Sequence, residues 1–274
     1  MKKRLAILAL VTMAVVMVAL QVRTQPTAVS NLTSASAAKR IVAAADDSAI
    51  NSDALAALNS MGSYLRTLKT FQVEAVTTKD DVLDDGQLIQ FDTHVNLLAR
   101  MPDRLRVEVT SSRQHRFYFY DGKNFTLFAQ RVNYYATVPA PETIGKLADE
   151  LNDKLGIQLP LEDLFFWGGP RSKVNEITGA IDVGPAEVGG VTCEQYAFRQ
   201  PGLNWQIWIQ QGDFPLPRKL VLSTLTDEAR PQYSSVLQWN LAPSFNEEAF
   251  QFQPPTDAQK IVFAGEKASD VAGN

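Results

Sequence analysis

The chain has 274 residues, with 26 Lys and Arg against 30 Asp and Glu, which gives a formal net charge of −4 at pH 7. This acidic balance argues against a nucleic-acid-binding role, because such proteins need a basic face that releases counterions. The single cysteine, Cys193, excludes an internal disulfide, and its alternation with Val191, Gln195 and Ala197 in a predicted strand favours a small buried core residue over a reactive thiol.

The N-terminus has the pattern of a secretory signal. Met1-Lys2-Lys3-Arg4 precedes an uncharged, mostly apolar run from Leu5 to Leu20. We predict a signal peptide over residues 1–37, with an uncleaved inner-membrane anchor as the alternative, and a flexible spacer over residues 38–50. Loss of residues 1–37 removes four basic residues and no acidic one, so the formal charge falls from −4 to −8. No cysteine follows the apolar run, so a lipid-modified N-terminus is excluded.

The next segment predicts a helix followed by strands. Leu55, Leu58, Met61, Leu65 and Leu68 repeat at helical spacing within an amphipathic helix over residues 51–68. Alternating apolar and polar residues then predict half-buried antiparallel strands. An Asp-Gly turn between two aromatic runs indicates a hairpin. The predicted strands in this half of the chain are Phe71–Ala75, Ile89–Leu97, Arg104–Val109, Phe117–Tyr120, Asn124–Phe128 and Tyr134–Val138.

A helical insertion interrupts the strands. Apolar residues at offsets 3, 4, 7 and 11 predict a helix over Ile144–Leu155, which Gly156 ends. A second short turn over Leu161–Phe166 follows. This insertion fits two interpretations: a lid or plug over the sheet, or a crossover helix that covers the core.

The C-terminal part returns to strands. Alternation predicts them over Ile177–Val183, Val191–Phe198, Trp205–Ile209, Arg218–Thr224 and Tyr233–Trp239. Short hairpin links dominate, and the βαβ alternation of a parallel sheet is absent. We therefore predict an α+β, mainly antiparallel domain over residues 51–263, in which a large sheet curls around helices, and a disordered tail over residues 264–274.

The sequence contains no catalytic motif. The two histidines, His94 and His115, are predicted to be surface residues, and neither has zinc-ligand spacing to other ligands. The nucleophile-elbow, P-loop and dinucleotide fingerprints are all missing. The aspartates of Asp80–Asp85 fit a charged hairpin tip better than a calcium loop. We predict no catalytic residue, no metal site and no cofactor.

The aromatic content is high, and some strands carry apolar residues on both faces. Such a sheet needs cover on both sides, or it holds an apolar ligand. The candidate cavity lining is Phe91, Leu105, Val107, Val109, Phe117, Phe119, Phe125, Leu127, Trp205, Ile207, Leu220, Leu222, Leu237 and Trp239. The candidate lid residues are Ile144, Leu147, Leu151, Leu164, Phe165 and Phe166.

Three motifs carry a resemblance: Arg100-Met101-Pro102-Asp103-Arg104-Leu105-Arg106-Val107, Tyr120-Asp121-Gly122-Lys123 and Phe250-Gln251-Phe252-Gln253-Pro254-Pro255. With the leading helix, they resemble the LolA-like periplasmic lipoprotein-carrier superfamily. Within it, the chain is similar to a bacterial family of predicted periplasmic proteins of unknown function. The resemblance implies a strongly curved, unclosed β-barrel of about ten to twelve strands with helices in its mouth.

The resemblance also implies a function. Relatives bind acyl chains and ferry lipids or lipoproteins, or sense mislocalised lipoproteins. In the carriers an Arg beside the Pro of the third-strand turn holds the lid; Arg100 is the nearest match, but Met101 separates it from Pro102.

The first hypothesis is a periplasmic, non-catalytic carrier for an acyl-bearing lipid or lipoprotein, with membrane contact that is transient or made through an uncleaved anchor. The second is an envelope-sensing module with a periplasmic protein partner. The third is an unrecognised hydrolase.

Overall fold

In a computed structural model the described residues are 50–263. The predicted signal peptide, residues 38–49 of the predicted spacer and the predicted C-terminal tail lie outside them. No helix within residues 50–263 is long and apolar enough to cross a membrane.

One twelve-stranded sheet dominates the structure. Its spatial order is β12-β6-β5-β4-β3-β2-β1-β11-β10-β9-β8-β7, so most neighbours in sequence are neighbours in space. Every pairing is antiparallel except that of β12 with β6. The strands are β1 Thr70–Val82, β2 Leu88–Arg100, β3 Arg104–Thr110, β4 His115–Tyr120, β5 Asn124–Ala129, β6 Tyr134–Pro139, β7 Gly179–Val188, β8 Val191–Gln200, β9 Leu203–Gln210, β10 Pro217–Thr224, β11 Gln232–Asn240 and β12 Gln259–Lys260.

Two helices fill the concave face of this sheet. Helix α1, Ser52–Thr67, begins where the Asn51 side chain accepts a hydrogen bond from the Ala54 amide, and its buried residues pack on β7 to β10. Helix α2, Ile144–Leu155, packs on the inner residues of β1 to β5. Because β12 and β7 are the two ends of the sheet order, the barrel is unclosed. The predicted fold class, an open antiparallel half-barrel with two helices, is confirmed.

The interior consists of two apolar clusters, one under each helix. Four partly buried residues pack against both clusters and so join them: Leu68, Trp167, Trp239 and Leu241. Phe71 lies beside this junction, with ring centroids 5.5 Å from Trp239 and 6.2 Å from Phe165. The two halves of the interior therefore meet along a seam of large side chains.

The C-terminal segment, residues 245–262, covers part of the convex face. The ring of Phe252 lies 5.4 Å from Phe119, 5.3 Å from Phe128 and 5.0 Å from Tyr135. Earlier in the same segment Phe250 is fully buried. The segment then runs into β12, which pairs with β6 through Gln259 and Lys260. We call this segment the C-terminal strap.

The strap corrects the expected lining role of Phe117 and Phe119. The register pairs Leu105 with Tyr120 and Val107 with Tyr118, so the two tyrosines of β4 face the interior. Phe117 and Phe119 point to the convex side, where Arg106 stacks on both rings. The strand at β4 was predicted correctly, but the prediction of which residues face inward was wrong, because both faces of this strand are aromatic.

The strap contact predicts a stability effect. Phe252→Ala removes the ring that covers three others on the convex face, and Phe252 is only partly buried. We expect the free energy of unfolding to fall by about 1–3 kcal/mol, somewhat less than for a fully buried Phe. Urea unfolding measures the change. Val262→Ala, at an exposed position of the same strap, is the control; an equal loss in both variants would contradict the packing role of Phe252.

Candidate functional site

Helix α2 closes one half of the concave face, and local sequence explains its ends. The Thr143 hydroxyl accepts a hydrogen bond from the Lys146 amide at 3.3 Å. Gly156 takes a left-handed conformation, with φ at 64°, and its amide donates to the Asn152 and Leu151 carbonyls. Between these ends the apolar residues share one face, which is buried against the sheet: Ile144, Leu147, Ala148 and Leu151.

Two hydrogen bonds tie the start of α2 to the sheet. The Ile144 amide donates to the Pro102 carbonyl at 2.9 Å, and the Tyr120 hydroxyl donates to the Pro141 carbonyl. Burial is the main reason that the pKa of Tyr120 rises to about 12, so the phenol stays protonated as a donor. Tyr120, which sequence reasoning did not select, therefore holds the helix.

Arg100 does not take the latch role expected of it. It lies on the convex side, where it forms an ion pair with Glu247. Its guanidinium also lies 5.6 Å from the ring centre of Phe245 and 5.5 Å from that of Phe250. Its alternation with the inward-facing Ala99 sends its side chain outward. Arg100 thus holds the C-terminal strap, and the latch prediction is wrong for this structure.

The segment after α2 fills the space between the two helices. We call residues 159–168 the plug. Leu159 and Leu164 are buried in the cluster under α2, Phe165 and Phe166 pack at its margin, and Trp167 packs against both clusters. The predicted lid residues therefore occupy the interior in this structure.

The plug touches α1 backbone to backbone. A Cβ atom built on Gly62 would lie 2.5 Å from the Gly168 nitrogen, and one built on Gly168 would lie 2.5 Å from the Gly62 carbonyl carbon. No real Cβ fits at such a distance. The contact therefore requires glycine at both positions, and it holds the plug against α1 next to Trp167.

Two cavities remain beside the plug. The first, of about 270 Å³, lies between the plug and strands β10 and β11, and its lining includes Leu161, Leu164, Leu220, Leu222 and Leu237. The second, of about 180 Å³, is lined in part by Phe166, Leu203 and Trp205. Asp163, Trp167, Leu220 and Leu222 line both, so the cavities adjoin at these side chains.

A third space lies at the edge of the sheet. It is a groove of about 680 Å³ between the end of β6 and α2, and Val138, Leu147, Leu151 and Leu155 supply its apolar wall. Pockets that hold drug-sized ligands measure roughly 300–1,000 Å³. The interior cavities fall below that range singly, and the groove falls within it.

The structure separates the predicted lining residues into groups. Leu220, Leu222, Leu237 and Trp205 border the interior cavities. Phe91 belongs to neither apolar cluster; Arg113 lies 3.6 Å from its ring centre, so its expected lining role is not seen. The remaining inward-facing predictions pack within or against the clusters: Leu105, Val107, Val109, Phe125, Leu127, Ile207 and Trp239.

A polar group interrupts the apolar wall where the two cavities meet. Asp163 is exposed to solvent at the point where the cavities adjoin, and desolvation by the protein packed around its carboxyl raises the pKa above the ordinary 3.8. Tyr233 faces the same cavity as Asp163; burial and then the Asp163 charge raise its pKa to about 12. Among residues 50–263, no ion pair of the Asp163 carboxylate is found.

A second polar group has no partner. The indole Nε1–H of Trp205, a residue in the wall of the smaller cavity, makes no hydrogen bond within the described part of the chain. Leaving a buried donor unpaired costs roughly 1–3 kcal/mol. No sequence pattern marks either group, because Asp163 stands beside Glu162 in a loop and Trp205 follows an ordinary strand alternation.

The described residues offer little for catalysis. No group of three or more His, Cys, Asp or Glu side chains is arranged to hold a metal ion within residues 50–263. Burial raises the pKa of the Cys193 thiol, which disfavours the reactive thiolate. His115 Nε2 lies 2.7 Å from Glu108 Oε1, and Glu108 lies on the face of β3 opposite Leu105, Val107 and Val109.

Fold and interior together define an open antiparallel half-barrel whose mouth is plugged by helices and a loop. The chain belongs to the family described as "Predicted periplasmic protein (DUF2092)", whose profile matches residues 54–264. The expected membership in a predicted periplasmic family is confirmed. No curated protein matches the chain.

Several solved structures are similar in fold. An uncharacterized conserved protein from Thermus thermophilus is 13% identical, with a TM-score of 0.44; the match covers 77% of this chain and 99% of that one. The lipoprotein LppX of Mycobacterium tuberculosis is 10% identical over 71% and 98%, with a TM-score of 0.37. A LolA superfamily protein from Nitrosomonas europaea is 9% identical over 73% and 97%, with a TM-score of 0.36.

The glycine contact predicts that a favourable helix substitution will destabilise the protein. Gly62→Ala raises helix propensity, yet its methyl group meets the Gly168 backbone. We expect the overpacking to outweigh the gain and lower the free energy of unfolding by about 1–3 kcal/mol. Ser63→Ala, exposed on the same helix, is the control and is expected to be neutral or stabilising. Chemical denaturation of both variants decides; a stabilised Gly62→Ala would contradict the close contact.

Asp163 predicts a pH-dependent stability. Because its pKa is raised in the folded protein, the folded state binds the proton more tightly, and stability falls as pH rises from the ordinary toward the raised value. Asp163→Asn removes this loss, so we expect the variant to exceed the wild type in stability at neutral pH and to converge with it in acid. Urea unfolding across pH measures both. A wild-type advantage at neutral pH would contradict the desolvation of Asp163.

Proposed function

We propose that the protein is a periplasmic, non-catalytic binding or carrier protein for an acyl-bearing ligand, a lipid or a lipoprotein. The supporting observation is the pair of cavities that adjoin beside the plug and share the apolar side chains of Trp167, Leu220 and Leu222. Each buried CH₂ of an acyl chain contributes about 0.8 kcal/mol of binding free energy. The LolA-like motifs of the sequence agree with the same ligand class.

Binding a long chain requires the plug to move, because its side chains occupy the interior. Leu164 is buried in the cluster under α2 and Trp167 stands at the boundary between the cavities. The plug carries features of a displaceable element: its regular structure is one short helical turn, and its contacts are apolar packing, the Gly62–Gly168 approach and the stack of Arg171 on Phe166. We infer that an acyl chain enters where the plug side chains now lie.

The test is the lipid content and lipid affinity of the protein. Native mass spectrometry of protein purified from the periplasm is expected to show acyl-lipid adducts, and a fluorescent fatty acid is expected to bind. Leu222→Trp places a large side chain in both cavities and is expected to weaken that binding at least about tenfold.

Val221→Trp is the matched control, because the neighbouring residue faces the other side of β10. Circular dichroism verifies that both variants fold. An absence of adducts and of fluorescent fatty-acid binding would contradict the proposal. A stoichiometric protein partner recovered by crosslinking, with an empty interior, would instead support the envelope-sensing alternative.

A further inference from the structure

Asp163 lies where the two cavities adjoin, and this position bears on ligand choice. Asp163 lines both cavities, while the other acidic residue of the plug, Glu162, lines only the larger one. Trp167, Leu220 and Leu222 line both cavities with it, so the side chains that the cavities share are apolar apart from this carboxylate. A headgroup placed where the cavities adjoin would lie close to Asp163.

The basic groups nearby do not neutralise Asp163. Arg171 lines the smaller cavity, but it forms an ion pair with Asp149 and stacks 3.7 Å from the ring centre of Phe166. Lys173 lines the same cavity and is exposed at its rim. Asp163 is thus the charged residue that lines both cavities, and its carboxylate forms no ion pair within residues 50–263.

The indole of Trp205 is a second polar group without a hydrogen-bond partner among residues 50–263, in a residue that lines the smaller cavity. Trp205 is 8% exposed and lines the smaller cavity, and its Nε1–H has no acceptor among the described residues. An indole N–H is only a donor. A ligand with a carbonyl oxygen near its headgroup, as in an acyl ester or amide, supplies the kind of acceptor that this donor lacks.

We propose that the ligand is an amphiphile whose headgroup carries a cationic, hydrogen-bond-donating group such as an amine, which Asp163 binds at the junction of the two cavities. This inference rests on the proposed function and narrows it to one headgroup chemistry. An ammonium donates charge-assisted hydrogen bonds to a carboxylate, whereas an anionic headgroup would be repelled.

Three twelve-carbon amphiphiles separate headgroup from chain: dodecylamine, dodecanol and dodecanoic acid at pH 7.5. Each competes with a bound fluorescent acyl probe on the full-length protein. Since the chains bury the same apolar surface, differences in affinity report the headgroup. We expect dodecylammonium to bind about tenfold more tightly than dodecanoate, a size typical of one hydrogen bond to a charged group.

Asp163→Asn is expected to abolish that preference while dodecanol binding stays unchanged. Asp153→Asn, which removes the same charge from an exposed position of α2, is expected to keep the preference. The wild-type ratio is itself decisive if the Asp163 variant does not fold.

Equal affinities in the wild type, or tightest binding of dodecanoate, would overturn the headgroup inference and leave the acyl cavity standing. Tightest binding of dodecanoate would place the headgroup at Lys173, the basic residue exposed beside the smaller cavity. Failure of all three amphiphiles and of the fluorescent probe to bind would overturn the proposed function together with this inference.

Discussion

A sheet that is apolar on both faces must be covered on both faces, and the rest of the structure follows from this constraint. Burial of apolar surface is the main favourable term in folding. On the concave side α1, α2 and the plug supply the cover. On the convex side the C-terminal strap does so, through Phe252 and the buried Phe250. The helices and the strap thus do the same thing on opposite faces: each covers apolar side chains of the sheet.

The concave cover and the convex cover differ in how they are held. The strap is fixed by ring contacts, by two β-ladder residues and by the ion pairs of Glu247 with Arg100 and Arg104. The plug is held by apolar packing, by the close approach of the Gly62 and Gly168 backbones, and by the stack of Arg171 on Phe166. Cavities adjoin the plug. The space for another molecule therefore lies on the concave face, beside the plug.

Much of the fold was predictable because alternation and helical spacing are local signals. The helix over Ile144–Leu155 was predicted with the bounds that the structure shows, and five of the six strands of the first half were found with ends shifted by a few residues. The exception is β1, which was predicted to end at Ala75 but runs on to Val82, through Asp80 and Asp81 of the predicted hairpin tip. The facing of β4 was not predictable, since Phe117 and Tyr118 are both aromatic. Only the pairing of Leu105 with Tyr120 decides which ring points inward.

The candidate site was less predictable than the fold. Leu220, Leu222 and Leu237 were found because strand alternation places them inward. Asp163, Trp167 and the pair Gly62 and Gly168 were missed, because their roles depend on contacts between segments far apart in sequence. Arg100 shows the same limit: its partner Glu247 lies 147 residues away, and no local pattern joins them.

The long sequence separation between the strap and the strands that it contacts also determines the order in which the fold can form. Contacts between distant segments require closure of a long loop before they return any free energy. The strap meets β2 and β3 from the far end of the chain, so the aromatic rings on the convex side of β4 and β5 stay uncovered until nearly all of the sheet-forming sequence is available. A nascent or C-terminally truncated chain consequently exposes an apolar, aggregation-prone outer surface, even if its helices have already packed on the concave face.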